Sequence, residues 1–294
     1  MKIAIVGASG YLASNFVTKG LTFSTNSIDK FSYRRSDSNS IFFDVLDLDC
    51  IQNTFKLREY DLIINFAGRL SPIDKIGEDL NSLSSANLVS VLKSIGRPTT
   101  LMHLSSALES NSSEAESDYA MSKSLGTKNL LGEALNSNVG IIVVKVHNVI
   151  GRDQNHRKLV GTLIKHATLG LPITLNHPNR VRDFVWVDDF AKALWKIVDD
   201  FELLSEKQFH RSNEYLVARQ LDWEIGTGIG TKISDLAFEI YERLGHSKDL
   251  VDYETFEKEI DPYEVCVAGT SNDKTIRCAS NLRYILDTML GEKL

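Results

Sequence analysis

The chain has 294 residues, of which 43% are hydrophobic and 24% charged, a composition typical of folded globular proteins and not of disordered or fibrous ones. Its 33 basic and 39 acidic side chains give a net charge of −6, which argues against a nucleic-acid partner. No apolar run approaches the ~18 residues of a membrane span, and no export signal is visible, so we expect a cytoplasmic protein without a membrane partner. The cysteines, Cys50, Cys266 and Cys278, are too few and too scattered for a disulfide framework or a zinc site, and no metal site is predicted.

Short apolar runs alternate with amphipathic segments through the first half of the chain. The runs that predict strands are 3–6, 31–34, 41–43, 62–66, 101–104 and 141–146. Apolar residues at three- and four-residue spacing predict helices at 81–93 and 119–135. Because strands and helices alternate, the expected fold class is α/β, with a doubly wound parallel sheet covered by helices on both faces.

Beyond residue 150 the alternation becomes looser. A helix is predicted at 188–198, and a second one begins near Ser234, which we expect to be its N-cap. The charged and poorly periodic stretch 201–219 is interpreted as a surface insertion. This half of the chain predicts a smaller, mixed α/β lobe at the C-terminal end.

A glycine-rich turn, VGASGYLA, joins the first predicted strand to the first helix. Glycine permits a tight turn and a close approach to a ligand, and the amides at the helix N-terminus can face a pyrophosphate. The turn therefore predicts a Rossmann-type dinucleotide site, although an ordinary glycine turn is the alternative. The residues expected to contact the cofactor are Gly7, Ser9, Gly10, Tyr11 and Leu12.

The end of the second predicted strand indicates which dinucleotide is bound. An acidic residue there binds the ribose hydroxyls of NAD, whereas an arginine accepts the 2′-phosphate of NADP. The sequence has Arg34 and Arg35 there, with Asp37 beyond them. We therefore expect NADP, with NAD possible, and two solvated arginines are the alternative interpretation.

The segment YAMSK places the phenol of Tyr119 and the ammonium of Lys123 one turn apart on one helix face. A nearby cation stabilises a phenolate, so we expect Lys123 to lower the pKa of Tyr119 from its ordinary value near 10. Ser105 and Ser106 end a predicted strand upstream, where a hydroxyl can bond a substrate oxygen. A lone YxxxK is common on amphipathic helices, but a glycine turn, strand-end serines and YxxxK in this order indicate acid–base chemistry at a bound dinucleotide.

This ordered set resembles the extended short-chain dehydrogenase/reductase family of the NAD-dependent epimerase/dehydratase type, which acts largely on nucleotide-linked sugars. Further segments carry the resemblance: DV at 44–45, NFAG at 65–68, KVHNVIG at 145–151, RDFVWVDD at 182–189 and WEIGTG at 223–228. The resemblance implies a homodimer. It also implies a Rossmann domain at 1–150, with returning segments at about 181–230, and a nucleotide-sugar-binding lobe at 151–180 and 231–294.

The resemblance also implies roles for individual residues. Tyr119 would be the general acid/base, Lys123 would orient the nicotinamide ribose, and Ser106, in preference to Ser105, would polarise the reacting oxygen. Asn148 and Arg182 would contact the substrate, since an arginine meets phosphate oxygens two at a time; a turn residue and a surface ion pair are the alternatives. The further cofactor contacts that it implies are Asp44, Val45, Phe66, Ala67 and Gly68.

Departures from the family pattern reduce the number of reactions that we expect the protein to catalyse. Family dehydratases carry an Asp-Glu pair directly after the hydroxyl residue, where this chain has Ala107 and Leu108, so a 4,6-dehydratase is not expected. Glu109 is interpreted as a solvated acid on a loop.

Two enzyme activities remain open. The first is NAD(P)H-dependent reduction of a nucleotide-linked 4-keto-6-deoxysugar at C4, which supplies deoxyhexoses for polysaccharide, and the arginines after the second strand favour it. The second is 4-epimerisation with tightly bound NAD. A non-catalytic dinucleotide sensor on the same fold is a third interpretation, which the presence of both Tyr119 and Lys123 disfavours.

Overall fold

The computed structural model describes the chain except for residues 23, 35–38, 71–73, 112–116, 153, 155–157, 210–219, 254–264, 270–273 and 292–294. Arg35, a predicted cofactor contact, therefore lies outside the described residues. Contacts within the chain divide it into two compact units, Met1–Val146 with Ala191–Glu224, and His147–Phe190 with Ile225–Leu294. The assignment of one domain to the cofactor and one to the sugar nucleotide stays a prediction.

Strands and helices alternate along most of the chain. The strands, in chain order, are β1 (Lys2–Val6), β2 (Ser27–Ser32), β3 (Ser40–Phe42), β4 (Leu62–Asn65), β5 (Thr99–Ser106), β6 (Val139–Val146), β7 (Asn148–Ile150), β8 (Ile173–Leu175), β9 (Val181–Trp186), β10 (Gln220–Gly226), β11 (Gly230–Lys232), β12 (Val251–Tyr253), β13 (Val265–Cys266) and β14 (Lys274–Arg277). The helices are α1 (Tyr11–Gly20), α2 (Leu48–Leu57), α3 (Lys75–Ser82), α4 (Ser84–Ile95), α5 (Asp118–Ala134), α6 (Leu159–Thr168), α7 (Val187–Phe209), α8 (Ile233–Arg243) and α9 (Leu282–Leu290).

The first unit is built on a sheet with the strand order β10-β6-β5-β4-β1-β2-β3. The pairs that join β1 to β6 are parallel. β1 pairs with β2 on one side and with β4 on the other. The chain therefore adds β2 and β3 on one side of β1 and then continues with β4, β5 and β6 on the opposite side. Such a switch point opens a crevice at the carboxyl ends of the two strands. This is the Rossmann-type α/β fold that the sequence predicts.

Helices flank this sheet and supply much of its core. Phe16 of α1 is fully buried and stacks on Trp195 of α7 with ring centroids 4.5 Å apart. Trp195 also donates its indole N–H to the Phe16 carbonyl at 2.9 Å. A Cβ on Gly20 would lie 2.0 Å from the Trp195 ring, so α1 and α7 pack this closely only with glycine there. Burying Phe16 contributes roughly 1.5–3 kcal/mol.

The predicted helix at 81–93 is two helices, α3 and α4, which meet at Leu83. The break accompanies a tertiary contact, because the Asn81 carbonyl oxygen lies where a Cβ on Gly126 of α5 would be only 2.2 Å away. Asp47 is the N-cap of α2, and its carboxylate accepts the amides of Asp49 and Cys50.

Two other local predictions are wrong. The stretch interpreted as a surface insertion continues α7 as far as Phe209, and the remainder, 210–219, lies outside the described residues. The N-cap of α8 is Lys232, which makes no side-chain cap bond, and Ser234 lies inside the first turn.

The second unit contains a small mixed sheet. Strand β9 pairs in parallel with β7 and β13 and antiparallel with β11, while β8 pairs in parallel with β12. The Asp183 carboxylate, fully buried in β9, accepts the amides of Thr227, Gly228 and Ala268. This carboxylate therefore holds three separate backbone segments together. In neither unit do the described helices include one with the length and apolarity that a membrane crossing requires.

Candidate active site

The glycine turn adopts a conformation that requires glycine. Gly7 has a φ of +78°, and the amides of Gly7 and Ala8 both donate to the Phe31 carbonyl, at 2.9 and 3.0 Å. A Cβ on Gly7 would lie 2.8 Å from the Ala67 backbone nitrogen, closer than a side chain tolerates. The turn is therefore packed directly against the loop that follows β4.

Helix α1 begins immediately after this turn, with Gly10 as its N-cap. Gly10 has no side chain to cap the helix, and the first turn contains no acidic residue. No carboxylate in the first turn of α1 therefore neutralises the positive end of the helix dipole. This arrangement suits the pyrophosphate of a dinucleotide.

The loop after β4 links the turn to the predicted catalytic helix. The Asn65 side chain accepts the Ala67 amide at 2.9 Å, which fixes the path of the loop. A Cβ on Gly68 would lie 3.2 Å from the Lys123 ammonium and 2.8 Å from the Asn81 side-chain oxygen. Gly7, the loop at 66–68 and Lys123 are therefore linked by a row of close contacts, and the residues present fit a nicotinamide dinucleotide.

Four further predicted cofactor contacts, Ser9, Arg34, Asp44 and Val45, lie around the carboxyl ends of β2 and β3. Ser9 is exposed and its hydroxyl forms a 2.8 Å hydrogen bond with that of Ser32, which donates its own proton to the Arg34 carbonyl. The Arg34 side chain is exposed. The Asp44 carboxylate accepts the Leu46 amide at 2.9 Å, and Val45 is buried in the core.

The predicted catalytic side chains lie at the end of β5 and on the first turns of α5. The Ser106 hydroxyl lies close enough to the half-buried phenol of Tyr119 to act on it. Lys123 is 7% exposed, and its ammonium donates to the Leu104 carbonyl at 3.0 Å. The structure thus brings Ser106 and Tyr119 together and holds Lys123 at the neighbouring part of β5.

The predicted effect of Lys123 on Tyr119 is wrong. Burial raises the pKa of Tyr119 above its ordinary value; the Ser106 hydrogen bond lowers it and the charge of Glu109 raises it further. Burial also lowers the pKa of Lys123 to about 8, against an opposing effect of Glu109. Desolvation is the largest effect on both groups, and Lys123 is not among the groups that shift the pKa of Tyr119. Tyr119 is consequently protonated at neutral pH, which suits a proton donor.

Glu109 is not the solvated acid that we expected. It is only 8% exposed, and its carboxylate accepts hydrogen bonds from Ser105 and, at 2.7 Å, from Thr127. Burial raises the pKa of Glu109, while these two bonds and the charges of Lys145 and Lys123 lower it. The Ser105 hydroxyl is thereby committed to Glu109, which leaves Ser106 as the serine beside Tyr119.

The predicted substrate contacts in the second unit lie on paired strands. Asn148 begins β7, which pairs with β9, and its amide donates to the Asp183 carbonyl at 3.5 Å. Arg182 is 9% exposed and donates to the Val181 carbonyl at 2.9 Å. The structure thus places Asn148 and Arg182 near each other within the second unit. Their contact with a substrate stays a prediction.

Comparison with known proteins decides the family. A model described as the NAD dependent epimerase/dehydratase family matches residues 3–210. The chain belongs to this family. The predicted relationship to extended short-chain dehydrogenases/reductases of the epimerase/dehydratase type is therefore confirmed.

Individual relatives of this family member are distant in sequence and similar in fold. A curated UDP-glucose 4-epimerase from Mycoplasma genitalium is 22% identical, over 82% of this chain and 81% of that protein. The crystal structure of Thermotoga maritima UDP-glucose 4-epimerase with UDP-glucose has a TM-score of 0.75 and 18% identity, covering 99% of this chain and 98% of that one. The Bacillus anthracis dTDP-glucose 4,6-dehydratase in complex with NAD has a TM-score of 0.75 and 18% identity, covering 100% and 97%.

Sequence reasoning missed two residues around the predicted catalytic pair, Tyr119 and Lys123. Thr127 follows Lys123 by four residues and Tyr119 by eight, so helical spacing already placed it on the same face. Asn81 is 1% exposed. Its side chain accepts a hydrogen bond from the Arg69 amide, donates one to the Arg69 carbonyl, and donates another to Ser122 of α5 at 3.0 Å. No local pattern marked Asn81, because its partners are distant in the chain.

Proposed function

We propose that this protein is an NAD(P)-dependent enzyme that carries out oxidation or reduction at C4 of a nucleotide-linked hexose. The observation that carries the proposal is the placement of Ser106 beside the phenol of Tyr119, one helical turn from Lys123, whose ammonium lies next to the loop that packs on the glycine turn. Family membership supports the nucleotide-sugar class. The curated relative, a UDP-glucose 4-epimerase, supports C4 as the reacting position.

In this reaction each residue of the site has a separate role. The amides at the start of α1 hold the pyrophosphate, and Lys123 faces the cofactor from α5. Tyr119, protonated at neutral pH, gives its proton to the oxygen on C4 when that carbon is reduced, and Ser106 bonds the same oxygen. A nicotinamide dinucleotide bound there would supply or accept the hydride. Proton transfer by a positioned side chain contributes roughly 10²–10⁴-fold to the rate.

The positions after Ser106 argue against dehydration. Elimination of water needs a second acid and base, and Ala107, 6% exposed, and Leu108 have no ionisable group. The acid that follows, Glu109, is bonded to Ser105 and Thr127. These features support a reaction that uses Tyr119 alone as acid and base.

The first specific reaction that we propose is reduction of a 4-keto-6-deoxysugar with NADPH. It is supported by Arg34, exposed directly after β2, next to the hydrogen-bonded Ser9 and Ser32. An arginine at this point suits the 2′-phosphate of NADP. The product would be a deoxyhexose donor for polysaccharide synthesis. We also propose that the enzyme acts as a homodimer.

Epimerisation at C4 with tightly bound NAD is the second version. It is supported by the curated epimerase relative and by the similar epimerase fold. The dehydratase of similar fold was crystallised with NAD. Epimerisation needs the same Tyr119 chemistry in both directions, so the site itself serves either reaction.

One experiment separates the versions. The purified protein is incubated with UDP-glucose and NAD, and separately with a dTDP-linked 4-keto-6-deoxyhexose and NADPH or NADH, and the sugars and the reduced nicotinamide are measured. A C4 epimer without net cofactor consumption establishes the epimerase, whereas oxidation of NADPH in step with ketosugar loss establishes the reductase. Tight cofactor binding without turnover of any sugar nucleotide would refute the proposal in favour of a sensor. Tyr119→Phe serves as the control for contaminating activity.

A further inference from the structure

A chain of buried hydrogen bonds runs from the loop after β4 into the interior of the first unit. The Asn65 side chain, at the end of β4, accepts the Ala67 amide at 2.9 Å and donates to the hydroxyls of Ser84 and Ser85 at 3.0 and 2.8 Å. The Ser85 hydroxyl also bonds Nδ1 of His103 in β5 at 2.7 Å. The side-chain members of this chain are 1–2% exposed, so the bonds among them are shielded from bulk water.

The backbone determines the direction of the protons in this chain. The Ala67 amide can only donate, so the Asn65 atom that faces it is the carboxamide oxygen, and the NH2 group faces the serines. Ser85 therefore accepts from Asn65, and Nδ1 of His103 is the acceptor that the described residues offer to its own proton. In agreement with this geometry, burial lowers the pKa of His103 to about 3. His103 is therefore a neutral imidazole with its proton on Nε2.

The acceptor on His103 keeps the Asn65 side chain in one orientation. Without it, the Ser85 proton would be buried and unpaired, which is unfavourable. The Asn65 oxygen could accept that proton only after a flip of the carboxamide, and the flip would place the NH2 group against the Ala67 amide, with a donor facing a donor. A Cβ on Gly7 would lie 2.8 Å from the same Ala67 nitrogen. The orientation of Asn65 therefore affects the loop that packs on the glycine turn.

We propose that His103 is a positioning residue for cofactor binding, because its Nδ1 holds Asn65 in the orientation that fixes the loop at 66–68. The inference rests on the proposed function in taking this loop as part of the dinucleotide site. His103 is 2% exposed, so it acts through Ser85 and Asn65 and not by contact with a ligand. Its Nε2 has no hydrogen-bond partner among the described residues, so a substitution there breaks no bond to them.

Two substitutions of similar size separate this role from packing. His103→Asn keeps an acceptor close to the position of Nδ1, whereas His103→Leu fills the same space without one. We expect the Ala67 amide to exchange with solvent about tenfold faster in His103→Leu and within about twofold of wild type in His103→Asn, with the affinities for NAD and NADP in the same order. Hydrogen exchange followed by NMR and titration calorimetry measure the two quantities. A side chain that only packs would give the opposite order, because leucine suits an apolar interior better than asparagine.

Ser85→Ala and Ser84→Ala form a second matched pair, since Asn65 donates to both serines and Ser85 is the one bonded to His103. Ser85→Ala should speed exchange of the Ala67 amide more than Ser84→Ala does. Equal exchange in the two histidine variants, or faster exchange in His103→Asn, would overturn the proposal. If His103→Leu does not fold, the serine pair decides, and equal rates in it would overturn the proposal. The exchange measurement needs no sugar nucleotide, so inactivity towards every sugar nucleotide would refute the proposed function and leave this result intact.

Discussion

Substitution of Gly7 by alanine tests whether the glycine turn is held by close packing as well as by its backbone conformation. At a φ of +78°, an L-residue costs about 1–2 kcal/mol more than glycine. The added Cβ would also lie 2.8 Å from the Ala67 amide nitrogen and 3.0 Å from the Phe66 carbonyl carbon. These are backbone atoms and cannot swing away, and overpacking of this kind costs about 1–3 kcal/mol more.

Gly96→Ala is the matched control, because Gly96 has a φ of +76° with nothing within 4 Å of its Cβ position. We expect Gly96→Ala to lose only the conformational part of the unfolding free energy, and Gly7→Ala to lose about 1–3 kcal/mol more. Urea unfolding of both variants measures the difference, and calorimetry with NAD and NADP measures cofactor binding. Equal destabilisation of the two variants, or wild-type cofactor affinity in Gly7→Ala, would refute the close-packing argument.

Three further predictions concern the chemistry. Tyr119→Phe should lower turnover by roughly 10²–10⁴-fold with cofactor affinity within twofold of wild type, and near-normal turnover would remove Tyr119 from the mechanism. Arg34→Ala should weaken NADPH binding by about tenfold or more, with NADH binding as the internal control, and an equal loss for both cofactors would reject the 2′-phosphate contact. Because the pKa of Lys123 is about 8 and its protonated form is the one needed, the rate should fall as pH rises through about 8; a plateau extending to its ordinary pKa near 10.4 would contradict this.

The fold was predictable because local and global signals agree in it. The β-branched run in β6 is buried at nearly every position, as expected for a strand that pairs with β5 on one side and β10 on the other. The sequence around Gly7 likewise predicts its local structure, since β1, the tight turn and α1 are consecutive in the chain. The spacing of Tyr119 and Lys123 also follows from helical geometry alone.

Burial was the property that the sequence did not reveal. Glu109 is in a polar stretch, and only the approach of Thr127 from another element encloses it. Burial also explains why the pKa of Tyr119 is raised and not lowered. Desolvation depends on which residues cover the phenol, whereas spacing along the helix identifies only its neighbours in sequence. The helix break at Leu83 accompanies a close contact with Gly126, more than forty residues away, which the periodicity within 81–93 does not indicate.

The discontinuity of the first unit has a consequence for how the chain reaches its native state. Met1–Val146 completes its compact unit only when Ala191–Glu224 is present, since Trp195 covers Phe16 on the outer side of α1. During synthesis, the Met1–Val146 part of the first unit therefore keeps Phe16 uncovered until the stretch that contains Trp195 has emerged from the ribosome. A fragment that stops at residue 150 should associate or be degraded, whereas one that extends through residue 224 retains the side chain that covers Phe16.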